Sequence, residues 1–481
     1  MQLLVSEYEK DGDVGIGGEL LSAAVVQGDR SEAVLSAAKE MLTNESWPAI
    51  RKLAAALLEA DEDRHEAVCQ VKPSDSRGRI TFLRGILVRE PRNTVRWVDL
   101  AREHLALGHL QKAMKAIRIA LALAPYNRFV LRSASALFVE AGDLDRAVTL
   151  LQSSPATEVD PWLLAPLIAI SDLAGSKQHS LRTAQRVLNA DHPTMHLAEL
   201  SAALGTVELS AGSSRRGRQL LRRSADDSTE NALAQIEWFS QRTNEALLDG
   251  VPTGVPRTFE ARARRATQEA DWREALHNAE LWFTDQPFSS EAATFASFCA
   301  CESEDWEGAL RFTRFSISSH PEDPALLNNH AFACIGLDKL PEAARVLVKA
   351  RGFATERIHG IVRAATEALL LFRSGQPERG RRRYRSAIDA FLRIHERDQA
   401  ARAALMLAGE EALIRSEESE TSWRRADDLA NGSRRRDVEH LRTRIAHLRT
   451  LDEAGDRVSE GPKTLSTVEP LLTEPPELAG C

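Results

Sequence analysis

The sequence predicts an all-α solenoid of stacked antiparallel helix hairpins, and three observations predict it. Ala275, Ala309 and Ala343 fall at intervals of 34 residues; Pro287 and Pro321 keep the same interval, each 12 residues after its alanine. A fixed period of this length marks a hairpin that cannot bury its apolar face alone and must stack on neighbours. The composition agrees: alanine, leucine and arginine are abundant and aromatics make up only 5 % of the chain, a balance that favours helix. Finally, 481 residues exceed what one compact core holds, whereas a repeat array grows in one dimension.

Bulk properties exclude several classes of function. Hydrophobic residues are 43 % and charged residues 27 %, and the formal charge is only -8, so the chain as a whole exerts no strong pull on nucleic acid or anionic lipid. The opening stretch MQLLVSEYEKDGD lacks a basic region followed by an apolar core, so no signal peptide is expected. No run reaches the roughly 18 apolar residues of a membrane span. Cys69, Cys299, Cys301, Cys334 and Cys481 are odd in number and irregularly placed; they form no disulfide framework, and a reducing cytoplasm is the expected setting. The Ala/Arg-rich composition suggests a bacterial protein.

Residues 1–92 read as degenerate helical hairpins. GGELLSAAVVQGDRSEAVLSAAKEML holds two apolar-periodic helices broken at Gly28-Asp29, with Ala33 at a packing position. A third helix runs from Pro48 to about Ala60, followed by the acidic turn ADEDRHE, a polar link from Ser74 to Arg79, and a helix stopped by Pro91. A first arm, 93–248, opens with the clearest unit, Thr94 to Asn127, which carries Trp97, Leu100, Ala101, Gly108, Ala113, Ile117, Ala120 and Pro125. These residues resemble the tetratricopeptide repeat, with its pattern W-x2-L-G-x2-Y…A-x3-F…A…P. Ala101 stands for the usual glycine and His104 for the usual tyrosine. Small residues at Ala101, Ala113 and Ala120 let two helices approach, and Trp97 and Ile117 fill the holes between them. The resemblance implies a right-handed superhelical solenoid whose concave face is lined by the first helix of each hairpin and binds a protein or peptide.

The unit 128–161 keeps Leu131, Phe138, Gly142, Ala147 and Leu151, the stretch 162–193 matches poorly, and 198–231 has Gly205, Gly212 and Gly217 at small positions. TENALAQIEWFSQRTNEALLD then reads as a longer helix ending in DGVPTGVP, whose glycines and prolines mark a hinge over 249–256. The second arm, 257–394, contains the three clear repeats (256–289, 290–323 and 324–357) and a further unit at 361–394 with Ala368, Gly375, Gly380, Tyr384 and Ala387. Residues 395–454 read as terminal helices that cap the array. The tail 455–481, rich in Pro, Glu, Ser and Thr, is expected to be disordered.

No catalytic motif is present: there is no P-loop, no G-x-S-x-G and no H-E-x-x-H. The glycines of GDVGIGGEL miss the dinucleotide-binding spacing. Cys299 and Cys301 would lie about 200° apart on a helix and cannot share a metal. Cys334 falls at an inward repeat position, where it packs as a small hydrophobe. Pro193 puts His192 at or before a helix start, so His192 and His196 lack a metal-binding face. No catalytic residue, metal ligand or cofactor is therefore expected. Three arginine clusters remain: Arg215 to Arg223, Arg373 to Arg385, and Arg434 to Arg436. In the second, Arg379, Arg381, Arg382, Arg383 and Arg385 have only Glu378 and Asp389 as nearby acids along the sequence. They suit a solvated helix face, an acidic protein surface or, less favoured, a phosphate backbone.

From the resemblance, exposed concave positions are Val95, Val98, Arg102 and Leu105 in the first arm. In the second they are Glu260, Arg264, Thr294, Phe298, Asn328, Asn329 and Phe332. Phe298 and Phe332 are equivalent, so stacking makes them an aromatic stripe or a pair packed only between repeats; Asn329 would bond the main chain of an extended peptide. A carboxylate clamp is rejected, because Val98 and Thr294 stand where it needs lysine, and no helix-turn-helix precedes Arg30. The expected function is a non-catalytic scaffold, adaptor or regulatory subunit that binds a protein or peptide partner in the groove of 256–394. The alternatives are a nucleic-acid-binding solenoid and an enzyme assembled from distant repeats; self-association is left open.

Overall fold

The computed structural model describes residues 2–27, 31–43, 76–176, 180–353 and 357–453, with the isolated positions Ile50, Ala54 and Leu58. The break at Gly28-Asp29, the turn ADEDRHE, most of the helix from Pro48 and the tail 455–481 lie outside them. Two compact units divide the chain, Met1–Lys72 and Pro73–Cys481. In the first, α1 (Gln2–Asp11), α2 (Val14–Gln27) and α3 (Glu32–Thr43) pack around Tyr8, Leu20, Leu21, Val34 and Met41.

The second unit begins with α4 (Ser76–Arg89). The boundary falls ahead of position 92 because Ile80, Leu83 and Leu87 of this helix join the core of the hairpin that follows. Hairpins then succeed one another: α5 (Thr94–Ala106) with α6 (Leu110–Leu123), α7 (Arg128–Glu140) with α8 (Leu144–Ser153), α9 (Pro161–Leu173) with α10 (Leu181–Leu188), and α11 (Thr194–Ser210) with α12 (Ser214–Ala225). A single helix, α13 (Glu230–Thr243), leads to the second arm. There α14 (Phe259–Glu269) pairs with α15 (Trp272–Asp285), α16 (Ser290–Glu302) with α17 (Trp306–Ile317), and α18 (Pro324–Gly336) with α19 (Leu340–Ala350). Next come α20 (Arg357–Arg373) with α21 (Pro377–Arg393), α22 (Arg397–Leu413) with α23 (Ser419–Ala430), and a last helix, α24 (Arg436–Glu453). No strand occurs among the described residues, and the architecture is an all-α solenoid.

Local chemistry explains the regularity. Helices start where a short polar side chain takes an otherwise unsatisfied backbone N–H: Asn93, Asn127, Asp143, Thr229, Asp271, Ser289, Asp305 and Asp323 each accept one from a residue two or three places on. The turns within hairpins need a left-handed residue, which is Gly108, Gly142 and Gly212 in the first arm. In the second arm Ala270, Glu304 and Asp338 take it at φ of 58° to 59°, a conformation in which a Cβ is strained. Ala113, Ala147, Ala275, Ala309 and Ala343 are all fully buried where the helices of a hairpin cross. At Gly217 even a methyl group is too large, since a Cβ would lie 2.9 Å from the Gly205 carbonyl.

The segment 249–256, expected to act as a hinge, is mostly exposed, with Val251 and Val255 half-buried, and the stretch just before it is packed. Asn244 ends α13 in the left-handed region, and Leu247 is buried in a cluster with Ala198, Leu221, Leu233, Ile236 and Ala261, which lie on both sides of it. Arg265 also holds it, donating to the carbonyls of Leu248 (2.8 Å) and Asp249 (3.1 Å). The arms meet a second time, where the Arg102 guanidinium lies 6.0 Å from the Phe288 ring and a Cβ on Gly108 would come 2.6 Å from the Ser318 carbonyl. His320 Nε2 stands 3.7 Å from Glu140 there. Burial pushes the Glu140 carboxyl up to about 7, against the hydrogen bonds from Ser290 and Ser289, and Glu291 and Asp323 reinforce the rise. Burial lowers His320 despite Asp323.

Two outcomes test this packing. Ala309→Arg should lower the melting temperature far more than Arg311→Ala. The alanine is fully buried, whereas Arg311 is exposed, pairs with Glu280 and lies over the Phe312 ring, and overpacking a helix contact costs about 1–3 kcal/mol or more. Glu140 has a folded pKa above its unfolded one, so its contribution is complete at low pH and lost as pH rises through about 7. The melting temperature should therefore fall between about pH 4.5 and 7, and Glu140→Gln should flatten that fall.

Candidate partner-binding groove

The first helices of the second arm (α14, α16, α18, α20 and α22) run side by side. Trp272 opens α15 and packs edge-on against Phe298 of the following hairpin at 5.8 Å. One period on, Trp306 packs against Phe332 at 5.9 Å. The bare Gly336 makes room for that indole, since a Cβ would come 2.8 Å from Trp306 Cε2. Phe298 and Phe332 are both half-buried. They are thus equivalent in structure as in sequence, and each is one half of a repeated Trp–Phe contact.

Several positions expected to be exposed are not. Val98, Leu105, Arg264 and Asn328 are buried. Arg264 bonds Glu260, Glu291 and Gln241, under the rings of Trp282 and Phe295. Asn329 Nδ2 donates to the Thr294 carbonyl (3.1 Å) and to Ser297 Oγ (3.0 Å); this amide ties α18 to α16 instead of waiting for a peptide. Arg102 stays exposed, and Thr294 is half-buried. The physical reason is lateral packing: in a solenoid the flanks of neighbouring first helices face each other, so only a narrow stripe of each remains free.

The arginine cluster is likewise corrected. Apart from Glu378, its acids come from neighbouring helices and not from sequence neighbours. Arg381 is buried and bonds Glu411 through Nε (2.5 Å) and Nη2 (2.8 Å), and Glu378 through Nη1 (2.6 Å). These bonds, above all those to Glu411, hold its pKa above the usual arginine value. Arg383 meets Glu367 (2.7 Å), Arg385 meets Glu418 (2.9 Å) and Arg379 meets Gln376 (2.5 Å). Arg382 is the exposed member of the run.

The last helix does not stack as a cap. α24 crosses back over the first helices of the second arm with Val438, Leu441 and Ile445 buried. Its His440 ring lies 6.3 Å from the Trp272 ring, and Arg444 is 3.5 Å from Glu304. Ile445 sits on Gly409, where a Cβ would come 2.9 Å from its Cδ1. Arg402 anchors the start of α24: Nη1 is 3.2 Å from Asp437, Nη2 bonds Glu302, and the guanidinium lies 5.8 Å from the Phe298 ring. Burial alone would raise the Asp437 carboxyl, but Arg402 and Arg435 outweigh it and hold the group below its usual range. A cavity of about 440 Å³ remains beneath the helix, lined by Phe332, Leu369, Met406, Leu413, Leu441 and Leu448 among others. Sequence reasoning missed this occupant. The available signal was the spacing of Val438, Leu441, Ile445 and Leu448, an apolar stripe on a helix with no hairpin partner.

One group of potential metal donors, His330, Cys334 and Glu342, lies within 4.8 Å of one another in the same arm. No helix among the described residues is long and apolar enough to cross a membrane.

The class is therefore an all-α helical-repeat solenoid with a self-occupied groove. No family model matches the sequence, and no curated protein matches it. Among solved structures the chain is similar to yeast Tom70 at 13 % identity, covering 85 % of this chain and 100 % of that one, with a TM-score of 0.31. It is similar to a chain of the Naa15/Naa10 structure bound to HypK-THB at 13 % identity, covering 94 % and 77 %, with a TM-score of 0.24. It is also similar to a circular tandem repeat protein with a novel repeat topology, at 14 % identity over 95 % and 96 % and a TM-score of 0.14. Likeness at this level carries neither partner nor activity across.

Proposed function

We propose that this protein is a non-catalytic scaffold that holds a partner protein in the groove of its second arm through an amphipathic helix. The observation that carries the reading is α24 itself, since the groove already accepts such a helix from its own chain. A competing helix would present apolar side chains at the spacing of Val438, Leu441, Ile445 and Leu448. It would add an acid where Asp437 meets Arg402 and a base where Arg444 meets Glu304. An extended peptide fits less well, because the Asn329 amide is engaged within the array. Burying Val438, Leu441 and Ile445 contributes about 1.5–3 kcal/mol each before the cost of ordering the helix, so a helix of similar footprint can displace it.

The thiols support a role without nucleophilic chemistry. Burial raises Cys299 well above its usual value, with Glu302 and Cys301 adding to the shift, and burial also raises Cys301. Protonated thiols are poor nucleophiles.

The test is binding in trans, read by fluorescence anisotropy with a labelled peptide of residues 436–453. The peptide should bind the full chain carrying Leu441→Asp and Ile445→Asp at least roughly tenfold more tightly than wild type. Adding Phe332→Asp should abolish the gain. Equal binding to wild type and to the double variant, with helix content unchanged by circular dichroism, would contradict the proposal.

A further inference from the structure

We propose that His330, Cys334 and Glu342 form a zinc-binding site that clamps the two helices of the hairpin α18–α19. His330 and Cys334 are one helical turn apart on α18 and therefore share a face. The turn at Asp338 then returns the chain, and Glu342 projects from the first turn of α19 towards them. One donor atom of each residue lies within 4.8 Å of the others.

The geometry suits a metal better than a hydrogen bond. His330 Nε2 and Glu342 Oε1 stand 3.4 Å apart. That is long for a bond between a ring nitrogen and a carboxylate. It equals the edge of a tetrahedron around zinc, about 3.4 Å for ligand bonds of about 2.1 Å. Thr313 Oγ1 lies 2.8 Å from His330 Nδ1 and 3.0 Å from the Ala309 carbonyl. When the hydroxyl donates to that carbonyl its oxygen accepts from Nδ1–H, and Nε2 then has a lone pair for a metal on the Glu342 side. The Thr313 contact is the kind of outer support that fixes the tautomer of a metal-binding histidine.

The donor set names the metal class. Thiolate, imidazole and carboxylate together match zinc, whereas calcium and magnesium take oxygen donors. One thiolate and one carboxylate neutralise a divalent ion. His330 and Cys334 are buried while Glu342 is half-buried, so solvent reaches the site past Glu342 and supplies the fourth ligand. Arg314 Nη2, 3.6 Å from Glu342 Oε1, stays as an outer partner of the carboxylate. Burial and Glu342 push the Cys334 thiol up to about 11; on binding, the S–H bond breaks, a Zn–S bond forms and one proton leaves to solvent. The clamp bears on the groove, because His330 and Cys334 flank Phe332 on the helix that presents it.

The test uses the full-length chain, reduced and freed of metal by chelation, then titrated with Co2+ as a spectroscopic stand-in for zinc. One equivalent should produce a thiolate-to-cobalt charge-transfer band and visible bands of tetrahedral intensity, both erased by added Zn2+. Cys334→Ala should lose the charge-transfer band, and Glu342→Gln should weaken binding at least tenfold. The Cys299→Ala/Cys301→Ala double variant should keep the spectrum. Zn2+ should raise the melting temperature of wild type and leave that of Cys334→Ala unchanged. Substoichiometric binding, a band that persists in Cys334→Ala, or one that disappears with Cys299 and Cys301 would overturn the site.

Discussion

The close approach of two helices at one small residue is the contact on which this structure depends. Ala113, Ala147, Ala275, Ala309 and Ala343 are fully buried at such contacts, and at Gly217 there is no room even for a methyl group. Packing at such density tolerates little change in volume. Each hairpin therefore repeats nearly the same crossing, and the error that could accumulate along a one-dimensional array is held down hairpin by hairpin. The left-handed turns show how firmly the geometry is imposed. Ala270, Glu304 and Asp338 accept a strained backbone, one period apart, where the first arm uses glycine.

The same interaction explains what was legible in the sequence. A period tells which residues are equivalent, and equivalence was read correctly: Phe298 and Phe332 make matching contacts with Trp272 and Trp306. It does not tell which face a residue ends on once repeats lie side by side. Arg264, Asn328 and Asn329 read as groove positions because their hairpins were considered singly; stacking turned them into the joints between hairpins. Arg381 and Arg383 illustrate the same limit. Their acids, Glu411 and Glu367, are distant along the sequence and adjacent only after folding. The grouping of His330 with Glu342 has the same origin, for only the hairpin turn brings α19 back against the end of α18.

The groove is defined by what lies in it. Arg402 joins the aromatic stripe to the occupant, with Phe298 beneath it, Glu302 on one side and Asp437 of α24 on the other. A guanidinium this enclosed, left without Asp437, would be costly, so any helix that replaces α24 is under pressure to bring its own acid. In the proposed complex, selectivity would rest on one charge at a fixed distance from an apolar stripe, and the cavity beside Phe332 would leave space for side chains bulkier than Leu441 and Leu448.

The most direct measurement of this account is photo-crosslinking from position 445, with a photoreactive residue in place of Ile445 and the linked peptides mapped by mass spectrometry. The account predicts intramolecular links to the stretch around Gly409 and to the neighbourhood of Phe332, because Ile445 touches the first and shares a cavity with the second. Links confined to other parts of the chain, or only between two chains, would contradict a groove occupied by its own last helix.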